Sequence, residues 1–387
     1  MNAAGFVVSF LAGPSRPRMK KKVGPMLKRI AVCALVAGLA GACASSNVIE
    51  ITPEELEAGV LRLSLHNQER LANVGLPLLA SAAPQCGLAT VPTLGATFLN
   101  PSSFQPWDQQ AARTILGTDD RLQAVTAVPR LAGAAGLQKG DILLAIGGEP
   151  APTGETAVRD WVSRSEFLMR RDGAVDIRVL RAGQEIALRL PATPVCGYRM
   201  QPWNSADIFA RTTGQEINVT AGLIFFAGTD RELAVVLSHE LAHNLLNHLP
   251  GPGSSARAST STARDQVEQE LEADYVGLYL MAAAGMEIDG ADAIWRRMRD
   301  TFPDGEPPAG AEAVRTHPTH AARLAAFQDW IAEIKAKQAK GLPLTPEKRD
   351  WSLLLAKYGS ARSQPTGTAP ATTQSLTSEE TSGTATP

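Results

Sequence analysis

Two histidines four residues apart, with a glutamate beside the first, carry the clearest chemical signal in the sequence. The string His239-Glu240-Leu241-Ala242-His243 places both imidazoles on one face of a helix, one turn apart, where they can bind the same metal ion. Glu240 projects to the side, within reach of a water on that ion, and can act as a general base. Because the chain has only 6 His in 387 residues, a chance match has odds of roughly half a per cent. The alternative is a surface helix with two unrelated histidines.

The residues around this string predict the helix that must hold it. Thr229 and Glu232 form a capping box, leucines and valines follow at helical spacing, and Pro250 ends the segment. Upstream, 217–220 and 223–226 have the composition of strands. A buried helix that carries two histidines and a glutamate needs compensation for its polar groups, and a metal ion provides it.

A second predicted helix offers the third ligand. Residues 265–284 are polar at first and apolar later. Glu270 and Asp274 share one face of this helix, so we expect Glu270 to complete the metal site and Asp274 to orient a ligand histidine. The alternative is a solvated acidic helix start, which the helix dipole favours and which we assign to Glu268 and Glu272.

Taken together, these motifs resemble the HtpX and CAAX-prenyl-protease family of zinc endopeptidases, which are gluzincins. The two-histidine string followed by Glu270-x-x-x-Asp274 is similar to the metal motifs of that family, and the similarity covers about residues 52–86 and 196–330. The resemblance implies one Zn2+ per chain, bound by the two histidines and Glu270. It also implies that Glu240 is the catalytic base in the hydrolysis of peptide bonds.

Further segments extend the resemblance. Asn204-Ser205-Ala206 stands where the family has its edge-strand motif, and His248 matches a family histidine that is not a ligand. His317-Pro318, followed by Arg323, resembles the late His-Pro segment of the family. We expect His317 to stabilise the oxyanion that develops during hydrolysis; an ordinary loop histidine before a proline is the equally open alternative.

The N-terminal residues predict export and lipid attachment. A basic run that begins at Met19, a candidate true start, precedes the apolar segment 30–42, which is too short for an ordinary membrane span and fits a signal peptide. The small residues before Cys43 resemble a bacterial lipobox, which implies cleavage before Cys43 and a lipid on that residue. A plain secretory signal is the alternative. The lipoprotein resemblance implies a membrane-anchored protein of the cell envelope that faces the periplasm, on the outer membrane if the cell is Gram-negative.

Export would leave Cys86 and Cys196 in an oxidising compartment, where we expect them to pair. A disulfide that closes so long a loop contributes on the order of 4–5 kcal/mol in the chain-entropy treatment. The alternative is two buried free thiols.

The residues between those cysteines predict a second domain. The string Gly136-Leu137-Gln138-Lys139-Gly140-Asp141 resembles the bacterial PDZ signature, and 175–180 and 185–190 alternate like the strands of a hairpin. Residues 157–169 would form the helix beside a peptide groove. The resemblance implies capture of unfolded or C-terminally exposed proteins by strand addition. The alternative is a small β-rich domain that binds no ligand.

The predicted fold class is therefore α+β: a mainly helical, zincin-type metallopeptidase domain with a small sheet, interrupted by a β-rich PDZ domain. Helices are also expected over 52–74 and 319–340. The expected divisions are a signal peptide (1–42), an anchor with the first catalytic helix (43–104), the PDZ domain (105–194), the metallopeptidase domain (195–359) and a disordered tail (360–387).

Bulk composition narrows the function. Lys and Arg number 37 against 39 Asp and Glu, and no basic stripe indicates a nucleic-acid partner. Two functions remain: a zinc endopeptidase that cleaves unfolded or damaged envelope proteins with PDZ-mediated capture, and a PDZ-based, chaperone-like binding lipoprotein whose proteolysis is weak or gated. Glu240 favours the enzyme, because a pure binder needs no general base between two metal ligands.

Overall fold

A computed structural model describes residues 52–86, 90–248, 263–302, 318–351, 353–354 and 357. The helices in chain order are α1 (Pro53–Ala82), α2 (Gln109–Leu116), α3 (Ala157–Asp172), α4 (Ala221–Phe226), α5 (Asp230–Leu245), α6 (Ala263–Ala283), α7 (Ala293–Thr301) and α8 (His320–Ala339). The strands are β1 (Thr90–Thr93), β2 (Ala96–Leu99), β3 (Gln123–Ala127), β4 (Ile142–Ile146), β5 (Glu149–Pro150), β6 (Ala174–Arg181), β7 (Gln184–Pro191), β8 (Thr193–Cys196), β9 (Arg199–Trp203), β10 (Ala210–Thr212) and β11 (Glu216–Thr220). The signal peptide, Cys43, His317 and the tail 360–387 lie outside the described residues and stay predictions.

The strands form separate sheets of different size. The largest has the order β2-β3-β4-β6-β7, with β5 paired to β4, and its strands are antiparallel. A three-stranded sheet has the order β10-β11-β9, and β1 pairs with β8. This mixture of helices and strands, which are antiparallel except for the parallel pair of β9 and β11, confirms the α+β prediction. Among the described helices, none has the length and apolarity that crossing a bilayer requires.

The described residues form two large hydrophobic cores and a small third cluster between α1 and α2. One is shared by β2, β3, β4, β6, β7 and α3, and the other by the C-terminal part of α1 from Leu71, by Val128 and Leu131, and by the elements from β8 onward. The second core thus combines residues that precede the largest sheet in the sequence with residues that follow it. That sheet also takes in β2, which precedes residue 105, the expected start of the PDZ domain.

A disulfide joins the chain where it enters and leaves this β-rich region. Cys86 and Cys196 are bonded, with their Cα atoms 5.5 Å apart across a separation of 110 residues, so the predicted pairing is confirmed. The β1–β8 pair lies beside it, with Thr90 opposite Cys196. The crosslink and the strand pair therefore hold both ends of the region together.

Helix α1 is longer than expected. It starts with the predicted capping box at Thr52 but continues to Ala82 instead of ending near Val74, even though Pro77 lies inside it. A proline removes one backbone hydrogen bond from a helix. Leu78 and Leu79, just beyond it, are fully buried, and this packing outweighs the local cost.

The segment 223–226, expected to be a strand, is helical. Helix α4 begins after Thr220, whose hydroxyl accepts a hydrogen bond from the Leu223 N–H at 3.2 Å. Gly222 permits a tight approach, since a Cβ there would lie 2.2 Å from the Ala206 carbonyl oxygen. The prediction of a strand at 223–226 was wrong because a short buried helix and a strand have the same apolar composition. The N-terminal cap at Thr220 decides in favour of the helix.

The two helices that carry the metal motif pack closely. Helix α5 starts with the predicted capping box of Thr229 and Glu232, and α6 covers the predicted acidic segment. At their crossing lies Gly277, where an added Cβ would be 3.1 Å from both the Ser238 carbonyl carbon and the His239 nitrogen. A glycine at this position lets the backbone of α6 approach the backbone of the metal helix.

We expect Gly277→Ala to destabilise the protein by about 1–3 kcal/mol, because the methyl group must push two backbones apart. The matched control is Gly59→Ala in α1, where nothing lies within 4 Å of the added Cβ. This change should stabilise the helix by about 0.5–1 kcal/mol. Urea denaturation measures both, and equal effects of the two substitutions would contradict the close-packing argument.

Candidate metal centre

Three side chains from α5 and α6 converge on one point. The Nε2 atoms of His239 and His243 lie 3.1 Å apart. The Glu270 carboxylate oxygens lie 3.4 Å from the first of these nitrogens and 3.3 Å from the second. In a tetrahedral zinc site with bonds of about 2.0–2.2 Å, neighbouring ligand atoms are about 3.3–3.5 Å apart. Both distances to the carboxylate oxygens fall in this range and the distance between the nitrogens is slightly shorter, so the three side chains converge where they could bind one metal ion.

The donor set also fits a catalytic zinc site. Two imidazole nitrogens and one carboxylate oxygen are the protein ligands of one class of such sites, which keep a fourth position for water or substrate. All three residues are at least nine-tenths buried. Burial of polar groups this close together requires compensation, which a divalent cation would supply.

Asp274 supports the first ligand histidine. Its Oδ1 lies 2.9 Å from Nδ1 of His239, and the residue is 2% exposed. When Nδ1 carries the proton and donates it to Asp274, Nε2 is left with its lone pair toward the metal position. This is the place the sequence predicted for Asp274, one helical turn beyond Glu270.

Arg323 of α8 is a component whose contacts the sequence did not reveal. Its Nε donates to Asp274 at 2.6 Å, and its Nη2 donates to Glu270 at 3.0 Å. The guanidinium lies 4.0 Å above the ring of Trp295 and is buried. It neutralises two buried carboxylates and holds the Glu270 side chain in place. In the sequence, Arg323 was noted only because it follows the His-Pro segment that resembles the family, and nothing indicated which residues it contacts.

Burial and charge shift the pKa values of the two ligand histidines in opposite directions. Burial lowers the pKa of His239, but the negative charges of Glu270 and Asp274 outweigh it and raise this pKa to about 10. Burial dominates at His243 and lowers its pKa to about 4. Binding of a metal ion at this position would therefore release a proton from His239.

The second ligand histidine has a different support. His248 places its Nδ1 atom 2.9 Å from Nδ1 of His243, and its Nε2 lies 3.2 Å from Glu272. The hydrogen bond from His248 lowers the pKa of the Glu272 carboxyl group. The assignment of Glu272 to a solvated helix start was therefore wrong, because the chain beyond α5 folds back against α6 and half-buries this carboxylate.

Two further sequence predictions concern Glu240 and the segment 204–206. Glu240 is half-buried on α5, between the two ligand histidines in sequence. Asn204-Ser205-Ala206 follows β9, an edge strand of the three-stranded sheet, and the Ser205 carbonyl accepts a hydrogen bond from Gly222.

Comparison with known proteins agrees with this chemistry. Residues 172–251 and 256–331 match the sequence model of Peptidase family M48. The chain is also similar to the mitochondrial metalloendopeptidase OMA1 of Schizosaccharomyces pombe, with 26% identity over 149 residues. That alignment covers 32% of this chain and 44% of the yeast protein, so the chain spans less than half the length of this relative. The matches and the His-His-Glu cluster support a metallopeptidase.

We expect Arg323→Met to destabilise the metal-free protein by about 3–5 kcal/mol, because it leaves two buried carboxylates without their cation. Arg159→Met is the control, since Arg159 pairs with Asp160 at 3.3 Å on the surface with 75% of its side chain exposed. Urea denaturation with a chelator present compares the two variants. Similar midpoints would show that the buried arginine does not carry this charge compensation.

Proposed function

We propose that this chain is a zinc-dependent endopeptidase that cleaves unfolded or damaged proteins in the bacterial cell envelope. The observation that carries the proposal is the convergence of His239, His243 and Glu270 on one point, close to the spacing of zinc ligands. Glu240, next to the first ligand on the same helix, adds the base that hydrolysis requires.

The roles of the side chains follow from their chemistry. When bound, zinc supplies Lewis acidity that polarises the scissile carbonyl and lowers the pKa of water to about 7. Glu240 accepts the proton of the attacking water and passes it to the leaving amine. Asp274 and Arg323 keep the ligand side chains oriented, through the contacts at 2.9 and 3.0 Å. His317 remains our proposal for the donor that stabilises the oxyanion.

Capture of extended substrate in a PDZ-like groove is the second part of the proposal. Strand β2 lies at one end of the largest sheet, and its outer edge has no strand partner among the described residues. A cavity of about 430 Å³ lies between β2 and α3, with Ala96, Thr97, Trp161 and Ser165 in its wall. An open strand edge beside an apolar cavity suits an extended peptide that adds as a further strand.

The proposed location rests on the N-terminal sequence. The basic run, the short apolar segment and Cys43 suggest export and lipid attachment. The disulfide between Cys86 and Cys196 agrees with an oxidising compartment. We therefore propose a membrane-anchored protein that faces the periplasm.

We expect Glu240→Gln to lower the cleavage of casein by about 10²–10⁴-fold, because the amide cannot accept the proton. The variant keeps the three metal ligands, so zinc content should remain that of the wild type. Glu287→Gln, which changes an exposed glutamate, serves as the control and should retain full activity. Equal cleavage by wild type, Glu240→Gln and chelator-treated protein would reject zinc-dependent hydrolysis and leave the binding module as the function.

We expect Ser165→Phe to weaken capture, because the ring fills the cavity between β2 and α3. Ser163→Phe places the same ring on the exposed face of the same helix and is the matched control. The first variant should raise the KM for unfolded protein at least several-fold while the cleavage of short peptides is unchanged. If both variants cleave unfolded protein like the wild type, the groove does not take part in capture.

A further inference from the structure

The two ligand histidines are supported in unequal ways. His239 has a carboxylate directly at its Nδ1 atom, at 2.9 Å. His243 has another imidazole at the same position, also at 2.9 Å, and the carboxylate of Glu272 stands one step further away. His248 is nearly buried, with 7% of its side chain exposed. A third histidine, His248, thus lies between the ligand His243 and the carboxylate of Glu272.

The carboxylate of Glu272 determines where the protons lie along this chain of contacts. An ionised carboxylate can only accept, so Glu272 requires a proton on Nε2 of His248. A neutral His248 then presents the lone pair of its Nδ1 atom, which must accept from Nδ1–H of His243. A neutral His243 with its proton on Nδ1 has its lone pair on Nε2, the atom that faces Glu270 at 3.3 Å. Each contact therefore selects the tautomer of the next residue.

We infer that His248 and Glu272 form a relay that holds His243 in its metal-binding tautomer and orientation. The inference rests on the proposed metal site and assigns two positioning residues to it. Partners of this kind typically change metal affinity by about 10–100-fold when they are lost. The relay thus orients His243 and fixes its tautomer, as Asp274 does for His239, but it acts through one additional imidazole ring.

Three substitutions of His248 separate positioning from packing. The Oδ1 atom of asparagine takes the place of the histidine Nδ1, so His248→Asn keeps the acceptor for His243. Glutamine reaches the place of Nε2 instead, so His248→Gln keeps the contact with Glu272 and loses the acceptor. We expect a zinc Kd near that of the wild type for His248→Asn and a Kd raised by about 10–100-fold for His248→Gln and His248→Ala.

Substitution of Glu272 tests the far end of the relay. Glu272→Ala should raise the zinc Kd, and combining it with His248→Ala should add little, because both changes interrupt the same chain. Glu268→Ala, on the same helix, controls for the loss of one negative charge. Chelator competition measures the Kd values, and thermal unfolding of the metal-free variants checks that each one is folded.

The outcomes distinguish this inference from the proposed function. The relay is contradicted if folded His248→Asn and His248→Gln lose zinc affinity equally, or if neither loses any. A wild type that binds zinc tightly but cleaves no protein would contradict the proposed hydrolysis alone, since the ratio of Kd values still decides the relay. A wild type that binds no zinc would overturn both.

Discussion

The close contact between α5 and α6 is the interaction on which the metal centre depends. Each helix carries only part of the site: two imidazoles and Glu240 on α5, and the carboxylates of Glu270 and Asp274 on α6. Gly277 allows the backbones to approach until an added methyl carbon would lie 3.1 Å from the His239 nitrogen. At this separation the Glu270 carboxylate reaches both imidazoles, and the three side chains come close enough to bind one metal ion.

Charge compensation extends the site to other helices. Two carboxylates buried beside each other on α6 would repel and remain poorly solvated, but α8 brings Arg323 to both of them. Trp295 of α7 covers the guanidinium at 4.0 Å. The segment after α5 returns with His248, which pairs with Glu272 on another side of α6. Four parts of the chain therefore contact the ligand side chains or the residues that orient them.

Helix α1 connects the metal-binding half of the protein to the β-rich region. Gly75 faces the metal-helix side, where a Cβ would lie 2.5 Å from the Met200 sulfur and 3.9 Å from Leu237. Ala72, Leu76 and Leu79, also on α1, line the cavity next to β2. The disulfide from Cys86 fixes the chain just beyond this helix. Under the proposed function, the captured peptide and the metal-binding helix α5 both pack against α1.

The sequence alone determined the local features: the capped helix with His239 and His243, the i, i+4 pair on α6 and the pairing of Cys86 with Cys196. These depend on helical periodicity and on the scarcity of histidine and cysteine, so they can be read along the chain. The passage of α1 through Pro77 and the helical state of 223–226 could not be read in this way, because burial and capping reversed the local preference. Only the tertiary structure brought Arg323 to Glu270 and His248 to Glu272. The reason is that contacts between helices depend on how their faces pack, which spacing within one helix does not encode.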